Sequence, residues 1–195
     1  YCSEEILFEI PFAAPYQLMN AALAIRALEV SGLPVAPGQA AEGVKKAKWP
    51  ARMEEISTGV YLDGAHNADG IRAFLDAACR LKELRKPDHV RILFAVSADK
   101  KYPEMLAEIR ERLQPDFWIL AKMESHRTLS VRELEEAAKV LADQECGKKT
   151  EILVCPDVKE ALNRLFRIHG EHDLTLIAGS LYLAGEVKEC FGNSG

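Results

Sequence analysis

The run Val60-Tyr61-Leu62-Asp63-Gly64-Ala65-His66-Asn67-Ala68-Asp69-Gly70 places a carboxylate at the end of an apolar stretch, a glycine after it, and a histidine three residues on. A carboxylate so placed accepts hydrogen bonds from a ribose or an ammonium group, and an imidazole binds a phosphate or moves a proton. Gly64 permits a tight turn and close backbone approach, while Asn67 or Asp69 can cap a following helix. Ligands collect at the carboxyl ends of strands in an open α/β sheet, so Asp63 and His66 are candidates for a binding crevice. Asp-Gly turns also serve as plain connections, and periodicity alone leaves both readings open.

Two further groups can act with them. In Trp49-Pro50-Ala51-Arg52-Met53-Glu54, Arg52 stands one short hairpin before Asp63, where a guanidinium can fork onto a phosphate. The alternative is a surface pair with Glu54 or Glu55. In Pro15-Tyr16-Gln17-Leu18-Met19-Asn20, the amides of Gln17 and Asn20 lie three residues apart on one helix face and can read a ring edge or merely serve the nearby backbone.

Other signals are weaker. Ser125-His126-Arg127 follows a strand and occupies another strand-end loop. Gly179-Ser180 precedes a helix and fits either an anion site or a simple N-cap. Gly38-Gln39-Ala40-Ala41-Glu42-Gly43-Val44-Lys45 imitates a phosphate loop, yet Lys does not follow the second glycine and no Ser or Thr follows Lys. His89, His169 and His172 lie in polar connections and are expected to be solvated.

The elements that must hold these groups follow from the patterning. From Gly59 onward, β-rich runs at Val60–Leu62, Val90–Val96, Phe117–Ala121, Glu151–Cys155 and Leu174–Ala178 alternate with apolar stripes of helical spacing. Ile71, Phe74, Leu75, Ala78 and Leu81 form one stripe; Met105, Leu106, Ile109 and Leu113 form another. Ser130 with Glu133 predicts a capping box. The fold class is α/β, a mostly parallel Rossmann-like sheet with helices on both faces, preceded by a helical linker. Helices are expected at Tyr16–Val30 and Gln39–Lys48, a hairpin at Glu55-Ile56 and Val60-Tyr61, and a strand at Ile6–Ile10 on the sheet edge or in a neighbouring domain. Residues 1–50 form the lead-in and residues 51–195 the α/β domain.

Composition sets the outer bounds. The 195 residues carry 25 Lys and Arg against 30 Asp and Glu, and the cations are scattered, which argues against nucleic acid. Five widely spaced cysteines make no metal-type pair and fit reduced thiols in the cytoplasm. No run approaches the roughly 20 apolar residues that span a bilayer, so no membrane partner is expected. The sequence opens on Tyr1 and is expected to be part of a longer chain.

Tyr16-Gln17-x-x-Asn20-Ala21, Trp49-Pro50-x-Arg52-x-Glu54 and Leu62-Asp63-Gly64-Ala65-His66-Asn67 together resemble, in order and spacing, the folylpolyglutamate synthase and dihydrofolate synthase family of the Mur ligase superfamily. Asp99-Lys100 and the run from Gly179 to Glu186 resemble its later landmarks, so the likeness spans nearly the whole chain. The resemblance implies a ligase that activates a folate or dihydropteroate carboxylate as an acyl phosphate with ATP, then admits the amine of L-glutamate. It implies that the phosphate loop and Mg2+ ligands belong to a central domain, so ATP and Mg2+ are held mainly there and no metal ligand is assigned in this chain. It implies that this domain closes over the nucleotide as partner of the enzyme's own N-terminal and central part, within a monomer.

Position by position, Asn20, Arg52 and Asp63 match the family's ATP contacts, and His66 matches its histidine beside the reaction centre. Ser125 and His126 are placed to meet the glutamate. Tyr16 departs from a frequent histidine, Ala51 from the usual glycine before the arginine, Ala68 from a proline, and Lys101 from an aspartate, which leaves the Asp99 loop without an assigned role. Two other readings stay open: the corresponding domain of a peptidoglycan Mur ligase or cyanophycin-type synthetase, and a non-catalytic nucleotide-binding module.

Overall fold

Alternating β-rich runs and helical stripes build one six-stranded sheet in the computed structural model of the chain, which describes residues 8–10, 16–125, 127–143 and 150–192. In chain order the elements are α1 (Tyr16–Ser31), α2 (Pro37–Lys45), β1 (Glu54–Ser57), β2 (Val60–Leu62), α3 (Ala68–Arg85), β3 (Val90–Phe94) and α4 (Tyr102–Leu113). They continue with β4 (Phe117–Ala121), α5 (Val131–Asp143), β5 (Glu151–Cys155), α6 (Val158–Ile168), β6 (Leu174–Ala178) and α7 (Leu181–Gly192).

The strand order is β1-β2-β6-β3-β4-β5, with β1 antiparallel to β2 and every other neighbour parallel. Parallel strands need helical crossovers, and these cover both faces. Alternation along the strands sorts the core: Ile92 and Phe94 point with Ile71, Phe74, Ile109 and Leu134 to one side, covered by α3, α4 and α5. Leu93, Ile119 and Ile177 point to the other, against Leu162, Leu165, Leu183 and Val187 of α6 and α7. Burying each such side chain fully contributes roughly 1.5–3 kcal/mol.

The mostly parallel Rossmann-like sheet expected from the sequence is thus the one observed. Four expected strands agree in their bounds, while β3 ends at Phe94, two residues early, where the chain leaves its ladder. The β1–β2 hairpin forms with Glu55 opposite Tyr61 and a bulge before Ser57. Helix α2 begins at Pro37, a proline suited to a first turn, and the phosphate-loop mimic is wound into it. The capping box forms, with the Ser130 amide donating to Glu133 Oε2 at 2.8 Å and the Glu133 amide to Ser130 Oγ at 3.3 Å. Residues 8–10 belong to no strand, and Ile6 and Leu7 of the expected first strand lie outside the described residues. Among the described residues no helix is long and apolar enough to cross a membrane.

Candidate functional site at the carboxyl edge of the sheet

Strand β2, apolar and paired on both sides by β1 and β6, has all three of its residues buried, and the ladder runs one step further through the Asp63 amide, which donates to Ile177 O at 2.9 Å. That step carries a carboxylate into a nearly closed position, 2% exposed. Burial of a charge requires partners. Three donors supply them: the Ala65 amide to Oδ1 at 2.8 Å, the Met53 amide to Oδ2 at 2.8 Å, and the Tyr16 hydroxyl to Oδ2 at 3.3 Å. A carboxylate offers about four acceptor sites, so these three donors leave one on Oδ1 unfilled.

Electrostatics at this point pull in opposite directions. Burial raises the Asp63 carboxyl above its ordinary value, while the Met53 and Ala65 amides, the neighbouring Arg52 guanidinium and the Tyr16 hydroxyl favour its ionised form. Burial and then the charge of Asp63 push the Tyr16 phenol well above the usual range, so its hydroxyl keeps the proton and stays a donor. Arg52 acts on both groups as the local cation. The acids expected as its alternative partners are engaged elsewhere: Glu54 with Lys188 and Glu55 with Arg85. Trp49, three residues before Arg52, is 61% exposed.

After Asp63 the chain turns through Gly64, whose amide donates to Ala51 O at 2.8 Å. A side chain on Gly64 would collide with Leu181 at the start of α7. His66 is half-buried, with Nδ1 2.9 Å from Gly64 O. A carbonyl only accepts, so Nδ1 carries a proton, and in the neutral ring Nε2 is the nitrogen with the lone pair. Asn67, rather than Asp69, caps α3, its side chain accepting from the Gly70 amide at 2.7 Å. Gly179 completes the turn: its amide donates to Ala65 O at 2.9 Å, and its φ of 123° belongs to the region glycine favours.

Asn20 lies one turn along α1 from Tyr16, on the same face, and is exposed; its Nδ2 donates to Oε1 of the buried Gln17 at 2.9 Å. The structure therefore gathers Tyr16, Arg52, Asp63 and His66 at one strand end and sets Asn20 beside them on α1. Ser125 sits in the loop after β4, in a different concavity of about 630 Å³ lined by Glu124, Arg127, Tyr182, Gly185, Glu186 and Glu189. His126 lies outside the described residues. Ser180 is an N-cap, its hydroxyl accepting from the Tyr182 amide at 3.1 Å. His169 corrects an expectation: instead of being solvated, it bonds Thr175 Oγ1 at 2.9 Å and Thr58 O at 3.0 Å, because the end of α6 turns it onto the β1–β2 hairpin.

Sequence reasoning missed Tyr16 as an Asp63 partner, although its departure from histidine marked the position. It also missed Lys188, for which a lone Lys in a helix offers no signal. Among the described residues no three His, Cys, Asp or Glu side chains gather as metal ligands.

Residues 51–181 match the family model of the Mur ligase, glutamate ligase domain. Over 103 residues, 50% of the chain, the sequence is 35% identical to the folylpolyglutamate synthase of Lacticaseibacillus casei, covering 23% of that protein. Over 194 residues, 96% of the chain, it is 23% identical to the dihydrofolate synthase/folylpolyglutamate synthase of Bacillus subtilis, covering 41% of it. The solved structure of E. coli FolC in complex with DHPP and ADP superposes with a TM-score of 0.75 at 25% identity, over 96% of this chain and 41% of that one. The chain thus spans well under half the length of these relatives.

Proposed function

Because this chain belongs to the Mur ligase glutamate-ligase-domain family, on its folylpolyglutamate and dihydrofolate synthase branch, we propose that it is the C-terminal domain of an ATP-dependent ligase joining L-glutamate to a folate or to dihydropteroate. Residues 51–195 are that domain and residues 1–50 lead into it from the central domain. What supports the reading is the strand-end cluster, in which a buried carboxylate held by two backbone amides has an arginine as its neighbouring cation and a histidine three residues on in the same turn.

Each group has a task in this reading. Asp63 Oδ1 accepts a ribose hydroxyl, and Arg52 and Asn20 hold the phosphates and ring of ATP. His66, its ring fixed through Nδ1, presents Nε2 to the reaction centre, where it takes a proton from the glutamate amine as that amine attacks the acyl phosphate carbon; the amide C–N bond forms, the C–O bond to phosphate breaks and inorganic phosphate leaves. Ser125, in the loop after β4, and its sequence neighbour His126 are assigned to the glutamate. The donor set present does not fit Mg2+, since three of Asp63's acceptor sites are already taken by protein donors. The metal belongs with the phosphates in the central domain, and no step here is routed through it.

Glutamate-dependent ADP release by the full-length ligase tests the proposal, with dihydropteroate, tetrahydrofolate and a UDP-muramyl acceptor as separate arms. Turnover with a pteroate or folate is expected, and turnover only with the muramyl compound overturns it. The isolated chain is expected to bind ATP weakly in calorimetry and to hydrolyse none. In the full-length enzyme, His66→Gln should lower kcat with little change in the KM for ATP, whereas a raised KM with unchanged kcat would move His66 from the reaction centre to the nucleotide.

A further inference from the structure

Arg52 is carried between two residues in the left-handed region, Ala51 at φ 55° and Met53 at φ 47°. Such backbone costs energy in residues with a Cβ and persists only where the surroundings hold it. Three hydrogen bonds do so here. The Gly64 amide donates to Ala51 O at 2.8 Å, the Met53 amide to Asp63 Oδ2 at 2.8 Å, and the Ala51 amide to Glu54 Oε2 at 2.9 Å. The second oxygen of Glu54, Oε1, takes both a hydrogen bond and an ion pair from Lys188 of α7, 134 residues further along.

Glu54 therefore divides its two oxygens between the Arg52 loop and the last helix. Resting on the reading of Arg52 as a nucleotide contact, we propose that Glu54 and Lys188 are positioning residues, which fix the Arg52 guanidinium for ATP and tie it to α7. Burial works against ionisation of Glu54, and the Lys188 and Ala51 donors outweigh it, holding the carboxyl below its ordinary value. The ion pair alone is a small effect, because its side chains are 40% and 31% exposed. The Ala51 amide is the larger one, since without Glu54 a donor in a strained loop loses its acceptor.

This division predicts an order of effects that a merely structural pair does not. In the full-length ligase, Glu54→Ala should raise the KM for ATP about tenfold and leave kcat within about twofold, because it removes both contacts. Glu54→Gln keeps an acceptor for the Ala51 amide and loses only the charge, so it and Lys188→Met should raise that KM about two- to threefold. The reversed pair Glu54→Lys with Lys188→Glu restores the ion pair without the acceptor and should behave like Glu54→Ala. Exchange of the Ala51 amide hydrogen, which needs no nucleotide, should quicken in Glu54→Ala and stay slow in Glu54→Gln.

Arg52→Ala separates the two readings. If it leaves the KM for ATP unchanged, the nucleotide role of Arg52 and this inference fail together. If it raises that KM while Glu54→Ala does not, this inference alone fails, as it does if the reversed pair recovers full affinity. Thermal melting of each variant identifies a loss caused by unfolding; a KM effect found only in variants that have melted at the assay temperature also overturns the proposal.

Discussion

Asp63 Oδ2 accepts the Met53 amide at 2.8 Å across a separation of ten residues, which makes the strand-end carboxylate and the Arg52 loop one structural unit. The same oxygen receives Tyr16 from α1, and its partner oxygen receives Ala65. A group proposed to meet a nucleotide thus spends most of its hydrogen-bonding capacity on arranging its neighbours. Preorganisation of this kind lets an arginine act without a large ordering cost when the ligand arrives.

Asp63→Asn tests that double duty. An asparagine relieves the burial of a charge, but its NH2 group faces at least one of the amides that need an acceptor. Loss of a buried acceptor outweighs the relief, and the domain should lose about 1–3 kcal/mol of stability in urea titration. An unchanged midpoint would assign Asp63 to ligand binding alone.

Gly179→Ala should be the more damaging change. The position holds φ at 123°, and an added Cβ would collide with the Ala95 carbonyl and come within 2.9 Å of the Phe94 ring. Backbone strain and a collision with backbone add, so a loss of about 2–4 kcal/mol is expected. Denaturant unfolding reads it directly, and a loss below about 1 kcal/mol would mean that the turn relaxes at little cost.

The fold was legible because parallel strands announce themselves as apolar runs between helical stripes, and local chemistry was legible for the same reason. Ser130 with Glu133 and Asn67 with Gly70 are contacts across three residues; the pattern fixes the first and narrows the second cap to Asn67 or Asp69. Asp63 and His66 could be singled out because strand, turn and helix follow one another there. What escaped were pairings across long separations: Tyr16 with Asp63 over 47 residues, and Lys188 with Glu54 over 134. Glu54 was read only as an alternative partner for Arg52, since nothing local says that α7 returns to the hairpin. His169 escaped in the same way, because its partners Thr58, in the β1–β2 turn, and Thr175, on β6, come together only in the folded sheet.

Arg91 and Asp173 form such a long-range pair at the opposite end of the sheet, both side chains 5% exposed. Asp173 Oδ1 also accepts the His89 amide at 3.1 Å, and the Arg91 guanidinium lies 4.8 Å from the centre of the Phe117 ring. Removing one partner leaves the other charge buried, so Asp173→Ala should destabilise the domain by about 3–5 kcal/mol. Arg91→Met should cost less, because Asp173 keeps its amide donors while the guanidinium has no second acid to turn to among the described ion pairs. Equal losses in the two variants, read by urea unfolding, would contradict that asymmetry.

Acid should separate Glu54 from Asp63 by sign. Glu54 is held below its ordinary value of 4.5, so the folded chain binds fewer protons there than the unfolded chain does. Its contribution is present above that value and is lost as pH falls through the lowered one. Asp63 is raised above its ordinary value of 3.8, so the cost of its buried charge is absent below that value and appears as pH rises through the raised one. Unfolding midpoints measured from pH about 3 to about 7 should therefore fall less steeply toward acid in Glu54→Gln than in the parent. In Asp63→Asn the deficit relative to the parent should be largest at the acid end, where the parent no longer carries the buried charge, and should narrow as pH rises. A parent curve that Glu54→Gln leaves parallel at every pH would show that Lys188 and Ala51 do not depress the Glu54 carboxyl.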